Sequence, residues 1–352
     1  MNKKNINIAI MLITFVSLFP LLFIRLEGFQ ASIFWLYSTL MTLFLIFTYF
    51  HIDKYRPVPD LGYRPSVTVI IPAKNEKDAI VQTIEAILNS DYPHDKLNVV
   101  VVDDGSTDNT VKEIKKIKNS RLTLIRHEIN RGKRIAFATG LKYTVSEIVI
   151  CIDSDSFVDK NAIKFLVQPF LRKNIGAVCG HGYASNIDKN LLTKLQHYWY
   201  QEMFLIMKSM EAQFGCVTCC SGILAAYRRE IILPVLDEWL NEKFFGRPIL
   251  IGDDRQMTNL VLRGGSKYAT RESEVTYQSN AIVYTIVPKN FKQFWKQQLR
   301  WKRAWVHGTK LASTFMWKKK FPIPYYFFIY QFLTYMNPII IIYSHRLRIP
   351  LT

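Results

Sequence analysis

Four short apolar runs, VTVII at 67–71, LNVVVV at 97–102, residues 122–125 and EIVICI at 147–152, are separated by helix-length stretches at 78–89, 108–118 and 133–144. Continuous β-branched runs of this length, without polar alternation, suit strands covered on both faces, so the rhythm predicts a mostly parallel α/β sheet. Ligands of such sheets bind beyond the carboxyl ends of the strands. Polar residues just after each run are therefore the first place to look for chemistry.

Those positions are filled. Pro72-Ala73-Lys74-Asn75-Glu76 follows the first run, Asp103-Asp104-Gly105-Ser106 the second and Asp153-Ser154-Asp155 the fourth. A single such turn would be read as ordinary turn and cap chemistry, as Ser106-Thr107-Asp108 is before the next helix. Three acidic turns at successive strand ends point to one ligand crevice. Asp153 and Asp155 are hard oxygen donors of the kind that bind Mg²⁺ or Mn²⁺, ions that complete their shells with water and substrate phosphates. Asn130-Arg131-Gly132-Lys133-Arg134 opens the third helix with cations and a dipole end suited to a diphosphate. Neither GxxxxGK[ST] nor GxGxxG occurs, which argues against P-loop and dinucleotide-fold chemistry.

Outside this middle region the character changes. The 352 residues carry 46 Lys+Arg against 28 Asp+Glu, a formal charge of +18, yet 49% are apolar. A disordered basic tail lacks that apolar fraction, and an ordinary soluble enzyme lacks that charge. Residues 5–24 and 31–50 are uncharged and long enough for a bilayer core of about 30 Å. They predict an uncleaved transmembrane hairpin over 1–50, with Lys3, Lys4, Lys54, Arg56 and Arg64 placing both ends in the cytoplasm. A third apolar stretch, 321–343, holds Pro322, Pro324 and Pro338 and is read as transmembrane or re-entrant. Between them, 288–312 predicts an amphipathic interfacial helix that starts at Pro288. Its apolar side is Phe291, Phe294, Trp295, Leu299, Trp305 and Val306, and its lysines face anionic headgroups. Basic-plus-aromatic composition also suits a nucleic-acid groove, but no recognition motif accompanies it, so lipid is the expected partner and nucleic acid is not.

Two features are given bland readings. Cys216, Cys219 and Cys220 form CxxCC with no second pair, so with Cys151 and Cys179 they are expected to be reduced thiols rather than zinc ligands. The stretch 189–213, with Leu195, Trp199, Met203 and Ile206, reads as a core helix.

Glu76 in PAKNE, Asp103-Asp104-Gly105-Ser106, Asp153-Ser154-Asp155, Gly252-Asp253-Asp254-Arg255 and Gln297-Gln298-Leu299-Arg300-Trp301 together resemble the processive, membrane-embedded family 2 glycosyltransferases. GCVTCCSGILAAYRRE (215–230) and IGDDRQMTNLVL (251–262) look most like the hyaluronan synthase branch, with chitin and nodulation chitooligosaccharide synthases nearby. The resemblance covers roughly residues 10–340. It implies a GT-A type nucleotide-sugar domain at 51–287 flanked by transmembrane helices, in a multi-pass protein of the cell membrane with its catalytic domain in the cytoplasm. It implies UDP-sugar donors, a growing polysaccharide acceptor and Mg²⁺ or Mn²⁺.

Carried onto this sequence, the family pattern assigns Asp104, with Asp103 beside it, to the uracil and ribose side, together with Ala73, Asn75 and Glu76. Lys133 and Asp153 meet the diphosphate, Asp153 and Asp155 match the metal-binding DxD, and Asp254 matches the base that takes the acceptor's proton. Cys220, Ser221, Gly222, Asp253, Arg255, Gln297, Arg300 and Trp301 fall on the acceptor side. Hyaluronan synthesis from UDP-GlcNAc and UDP-GlcA is the leading expectation. A chitin-type UDP-GlcNAc polymerase is the alternative, and a non-catalytic subunit of a polysaccharide synthase is the rival from another class. Polymer-secreting members carry several helices after QxxRW where this sequence shows one apolar stretch, so secretion through its own channel is expected only if the protein forms a homo-oligomer or the sequence is a piece of a longer chain.

Overall fold

The computed structural model describes residues 29–249, 251–264 and 273–346. The chain divides into two compact units, Tyr55–Thr314 and a second one made of Met1–Lys54 with Phe315–Thr352.

The larger unit is built on an eight-stranded sheet. Its strands are β1 (Val67–Ala73), β2 (Leu97–Asp104), β3 (Leu122–His127), β4 (Ile148–Cys151), β5 (Ser156–Val158), β6 (Ile175–Ala184), β7 (Ala225–Arg228) and β10 (Glu274–Thr285); β8 (Lys243–Phe244) and β9 (Arg247–Pro248) form a separate hairpin. The spatial order is β3-β2-β1-β4-β7-β6-β10-β5. The pairs β3-β2, β2-β1, β1-β4 and β6-β10 are parallel, while β7 runs antiparallel to both β4 and β6. The mostly parallel α/β sheet expected from the apolar runs is thus the one observed. Every residue of β1 is buried, as its unbroken VTVIIPA sequence requires.

Helices α1 (Phe29–Ile52), α2 (Ile80–Leu88), α3 (Thr110–Lys116) and α4 (Lys133–Tyr143) precede α5 (Leu191–Gln201), α6 (Asp253–Leu262), α7 (Phe291–Ser313) and α8 (Ile323–Arg346). The helix α2 turns Ile80, Ile84 and Ile87 onto the sheet, each fully buried, a burial of about 1.5–3 kcal/mol per side chain. On α4, Gly140 allows close contact with β1, since a Cβ there would lie 2.6 Å from Ile70 Cγ2. That contact fixes the start of α4, and with it Lys133, above the ends of β1 and β4.

A buried histidine makes this unit acid-sensitive. His181 on β6 accepts from the Tyr277 hydroxyl and donates to Gln201 Oε1 at 3.2 Å, and burial pushes its pKa down to about 4 from 6.5. Between those values the unfolded chain binds a proton that the folded chain refuses, so stability rises with pH across the window and falls as pH drops from 6.5 to 4. At the acid end this loss is about 3 kcal/mol. Melts of the wild type and His181→Gln at pH 4.5 and 7.5 should show the wild type losing more stability on acidification, and parallel losses would remove His181 as the cause.

In the smaller unit α1 and α8 pair through aromatic rings, with Phe44 stacked at 5.2 Å on Tyr326 and 5.7 Å on Tyr330. The Tyr37 hydroxyl donates to Asn337 Oδ1 at 3.4 Å. Among the described residues no helix is long and apolar enough to cross a membrane. Helices form over the stretches 31–50 and 321–343, and α1 carries Ser38, Thr39, Thr42, Thr48 and His51 among its apolar residues. Likewise α8 carries Gln331, Thr334 and Asn337 among tyrosines. The stretch 5–24 lies outside the described residues.

The helix at 288–312 starts later than expected. Asn290, not Pro288, caps α7, its side chain accepting from Gln293 N at 3.0 Å. Two faces emerge. Phe291, Trp295, Leu299 and Val306 are exposed, whereas the buried face is the small-residue row Ala304, Gly308 and Ala312.

Candidate active site

The three acidic turns converge. After β1, Asn75 takes a left-handed φ of 55° that turns the chain back over the sheet end. Its N–H donates to Ser106 Oγ at 2.9 Å, and its Oδ1 accepts from Thr107 N at 2.9 Å, tying the Ala73–Glu76 turn to the β2 turn. Glu76 N donates to Thr110 Oγ1 at 2.8 Å at the start of α3.

The two aspartates ending β2 have different partners. Asp104 Oδ1 accepts from His127 Nδ1 and Arg131 N, both at 2.9 Å, and its Oδ2 accepts from Gly132 N at 2.7 Å. Burial opposes the charge, but these donors outweigh it and lower the pKa. Asp104 therefore holds the loop that delivers Lys133. Asp103 is fully buried, with Oδ2 at 3.7 Å from Arg126 Nε and Oδ1 without a hydrogen-bond partner. An orphaned buried carboxylate oxygen costs energy unless a donor arrives, and Asp103 carries one.

Lys133 Nζ ion-pairs with Asp153 Oδ1. Burial opposes its charge, but Asp153, ahead of Cys151 and Asp253, holds the ammonium above the ordinary lysine range. Asp155 is pushed up to about 6, by burial first and by Asp153 second. Glu76 is pushed up to about 7, by burial and then by Asp155. Glu76 and Asp155 thus resist ionising together.

That donor set is the chemistry a hard divalent cation neutralises. Among the described residues no group of three or more His, Cys, Asp or Glu stands ready to hold a metal alone. A cation here would use Asp153 and Asp155 and take the rest of its shell from phosphate and water.

Across the crevice stands α6. Gly252, at φ 77°, begins it and packs so tightly on α7 that a Cβ would lie 2.6 Å from Ala304 Cβ. Asp254 Oδ2 accepts from Gly222 N at 3.2 Å and Oδ1 from Arg255 N at 2.8 Å. A Cβ on Gly222 would sit 3.0 Å from Lys133 Nζ and 3.5 Å from Asp153 Oδ1, so the Ser221-Gly222 backbone passes between α6 and the DxD. Cys220 is buried, its N–H donating to Thr258 Oγ1 at 2.9 Å. Lys133, Gly222, Asp253 and Asp254 line the mouth of a small cavity floored by Phe137, Tyr227, Trp239 and Met257.

The QxxRW residues lie on α7. Arg300 is exposed and its charge acts on Asp155. Trp301 stands 6.0 Å from Trp199 and 6.4 Å from Tyr200, ring centre to ring centre. Gln297 is half-buried with Oε1 unpartnered. Sequence reasoning missed Trp199 and Tyr200 here: α5 was read as core, yet Leu191, Leu195 and Tyr198 are exposed and Trp199 faces Trp301. The apolar spacing was correct for a helix but silent about which side the sheet would cover. Arg134, Trp239 and Lys208 were also missed. Lys208 is buried and donates to the Cys219 carbonyl beneath the Cys220-Ser221-Gly222 loop.

A mostly parallel sheet with acidic strand ends, a cation paired to the first Asp of a DxD, and a carboxylate on a facing helix define a GT-A-like glycosyltransferase. Residues 68–234 match the profile of Glycosyl transferase family 2. The chain is 30% identical over 305 residues to a hyaluronan synthase of Streptococcus pyogenes, covering 84% of this chain and 70% of that protein. It is also 30% identical over 285 residues to an N-acetylglucosaminyltransferase of Azorhizobium caulinodans, covering 78% and 70%. Among solved structures, a mannosyltransferase from Pyrobaculum calidifontis in complex with GDP-Man and Mn²⁺ shares the fold with a TM-score of 0.63 at 24% identity, over 86% of this chain and 81% of that one. The chain belongs to glycosyl transferase family 2.

Proposed function

We propose that the protein polymerises sugars from UDP-sugar donors, taking UDP-GlcNAc and UDP-GlcA in the manner of a hyaluronan synthase. The observation that carries the reading is the Asp254 carboxylate, fixed by two backbone N–H groups across from the Lys133–Asp153 pair. Inverting transfer needs a base and a leaving-group stabiliser in two separate places. Asp254 takes the proton of the acceptor hydroxyl as that oxygen bonds to the anomeric carbon. The bond from that carbon to the diphosphate oxygen breaks on the opposite side, and Lys133 meets the charge left on UDP. Asp153 and Asp155 hold Mg²⁺ or Mn²⁺, which when bound supplies Lewis-acid stabilisation of the diphosphate. Asp103, with Ala73, Asn75 and Glu76 around it, receives the uridine, and Asp104 holds the loop beneath.

Gln297, Arg300 and Trp301, with the Cys220–Gly222 loop, Asp253 and Arg255 nearby, take the acceptor end, where a flat indole face suits a sugar ring. The exposed row Phe291, Trp295 and Leu299 beside Lys292 and Lys296 lies on a membrane surface, so the protein works at the cytoplasmic face of the cell membrane.

The second reading is a chitin-type polymerase, favoured by the likeness to an N-acetylglucosaminyltransferase. Membranes containing the protein, given labelled UDP-GlcNAc with and without UDP-GlcA and Mn²⁺ or Mg²⁺, should make a hyaluronidase-sensitive polymer only when both sugars are present. Chitinase-sensitive product from UDP-GlcNAc alone would replace the first reading with the second.

A further inference from the structure

Lys133 and Arg134 are consecutive at the start of α4 and reach in different directions. Lys133 goes to Asp153, on the donor side. Arg134 is 6% exposed and turns towards the start of α6. Its Nε lies 3.2 Å from Asp253 Oδ1, its Nη1 donates to the Trp239 carbonyl at 2.8 Å, and both Nη atoms lie 3.4 Å from Glu242 Oε2. The guanidinium also sits 5.1 Å from the Trp239 ring centre, and Trp239 Nε1 donates to the Asp253 carbonyl at 3.2 Å. Asp253, the residue immediately before the base, is thereby held at its carboxylate by Arg134 and at its carbonyl by the ring that Arg134 covers.

A buried guanidinium is costly unless its donors are met, and this one is met entirely by groups that frame the base helix. Neither Arg134 nor Trp239 touches the DxD or QxxRW residues through any hydrogen bond described above, so their common object is the seating of α6. We propose that Arg134 is a positioning residue for glycosyl transfer, a strut that ties the diphosphate-binding end of α4 to Asp253 and so sets where Asp254 meets the acceptor hydroxyl. The proposal rests on Asp254 being the base. Displacing a catalytic group by about 1 Å costs on the order of 100-fold in rate. A lysine keeps the charge but not the planar fork, so it recovers only part of the contact set.

The test uses the full-length enzyme in detergent, with UDP release measured under saturating UDP-GlcNAc, UDP-GlcA and Mn²⁺, and with calorimetric UDP titration to count folded sites. Arg134→Met should lower kcat per UDP-binding site by about 100-fold, with KM for the donors and the affinity for UDP nearly unchanged, and Arg134→Lys should recover part of kcat. A residue needed only for folding would reduce the number of UDP-binding sites while leaving kcat per site at the wild-type value, and that result overturns the proposal, as does a loss carried by KM alone. Should Arg134→Met not fold, Trp239→Phe keeps an aromatic ring and removes the Nε1 donor that holds the Asp253 carbonyl. A lower kcat at unchanged UDP affinity then supports the strut, and a wild-type kcat overturns it. Asp254→Asn is measured alongside. Wild-type turnover there overturns the base assignment itself, whereas an inactive Asp254→Asn beside a fully active Arg134→Met overturns only the strut.

Discussion

Replacing Asp254 with Asn should abolish transfer while leaving UDP binding nearly intact. The amide is isosteric, so its oxygen can keep one of the two backbone contacts, from Gly222 N or Arg255 N, that orient the carboxylate. What it cannot do is accept the proton of the acceptor hydroxyl. General-base removal costs about 10²–10⁴-fold, and the upper end is expected where, as here, no second carboxylate takes over: Asp253 is turned to Arg134. The residues proposed to hold UDP sit on the other wall of the crevice, so the affinity for UDP should be unaffected. Single-turnover transfer together with calorimetric UDP titration separates the two effects. Retained turnover removes Asp254 from the base role, and lost UDP binding indicates damage to the crevice rather than to the chemistry.

The opposite walls of that crevice were not equally legible in the sequence. β1, β2 and β4 announced themselves because fully buried parallel strands need unbroken apolar runs, and VTVII, LNVVVV and EIVICI leave little else to form. The residues after them followed directly, so Glu76, Asp103, Asp153 and Asp155 could be placed in one crevice from local pattern. The division of labour between Asp103 and Asp104 was hidden, because it depends on which carboxylate meets His127 and the Arg131-Gly132 backbone, all distant in sequence. Asp254 was found only by likeness to a family motif. Nothing local in IGDDR says that Gly222 N will arrive 32 positions upstream to orient it.

The α7 face shows the same limit from another side. Its aromatic and basic residues identified an amphipathic helix, yet its packing surface is Ala304, Gly308 and Ala312. Gly308 lies where a Cβ would come within 2.3 Å of Arg255 Cδ. A helix that carries large residues outward and small ones inward inverts the usual reading of an apolar stripe, and only a tight partner such as α6 makes the small face the buried one.

Asp155→Asn should weaken UDP-sugar binding in the presence of Mn²⁺ by at least about 100-fold and leave the residual, metal-free binding almost unchanged. Losing a supporting partner of a metal ligand already costs about 10–100-fold in metal affinity, and Asp155 is expected to be a ligand itself. Its raised pKa of about 6, set by burial and then by Asp153, says that the carboxylates repel one another when no cation intervenes. The variant removes one negative charge from this cluster. Glu76, held at about 7 by burial and then by Asp155, should therefore titrate lower, and in the absence of metal the fold should be no less stable near neutral pH. Two opposite signs thus come from one substitution: weaker nucleotide-sugar binding with Mn²⁺, and equal or greater thermal stability in EDTA. Titrating UDP with and without Mn²⁺, and melting both proteins in EDTA at pH 7.5, tests them together. Equal Mn²⁺-dependent binding in variant and wild type would move the metal off Asp155, and a variant that melts lower in EDTA would mean that the carboxylate is a structural partner rather than one of a repelling set.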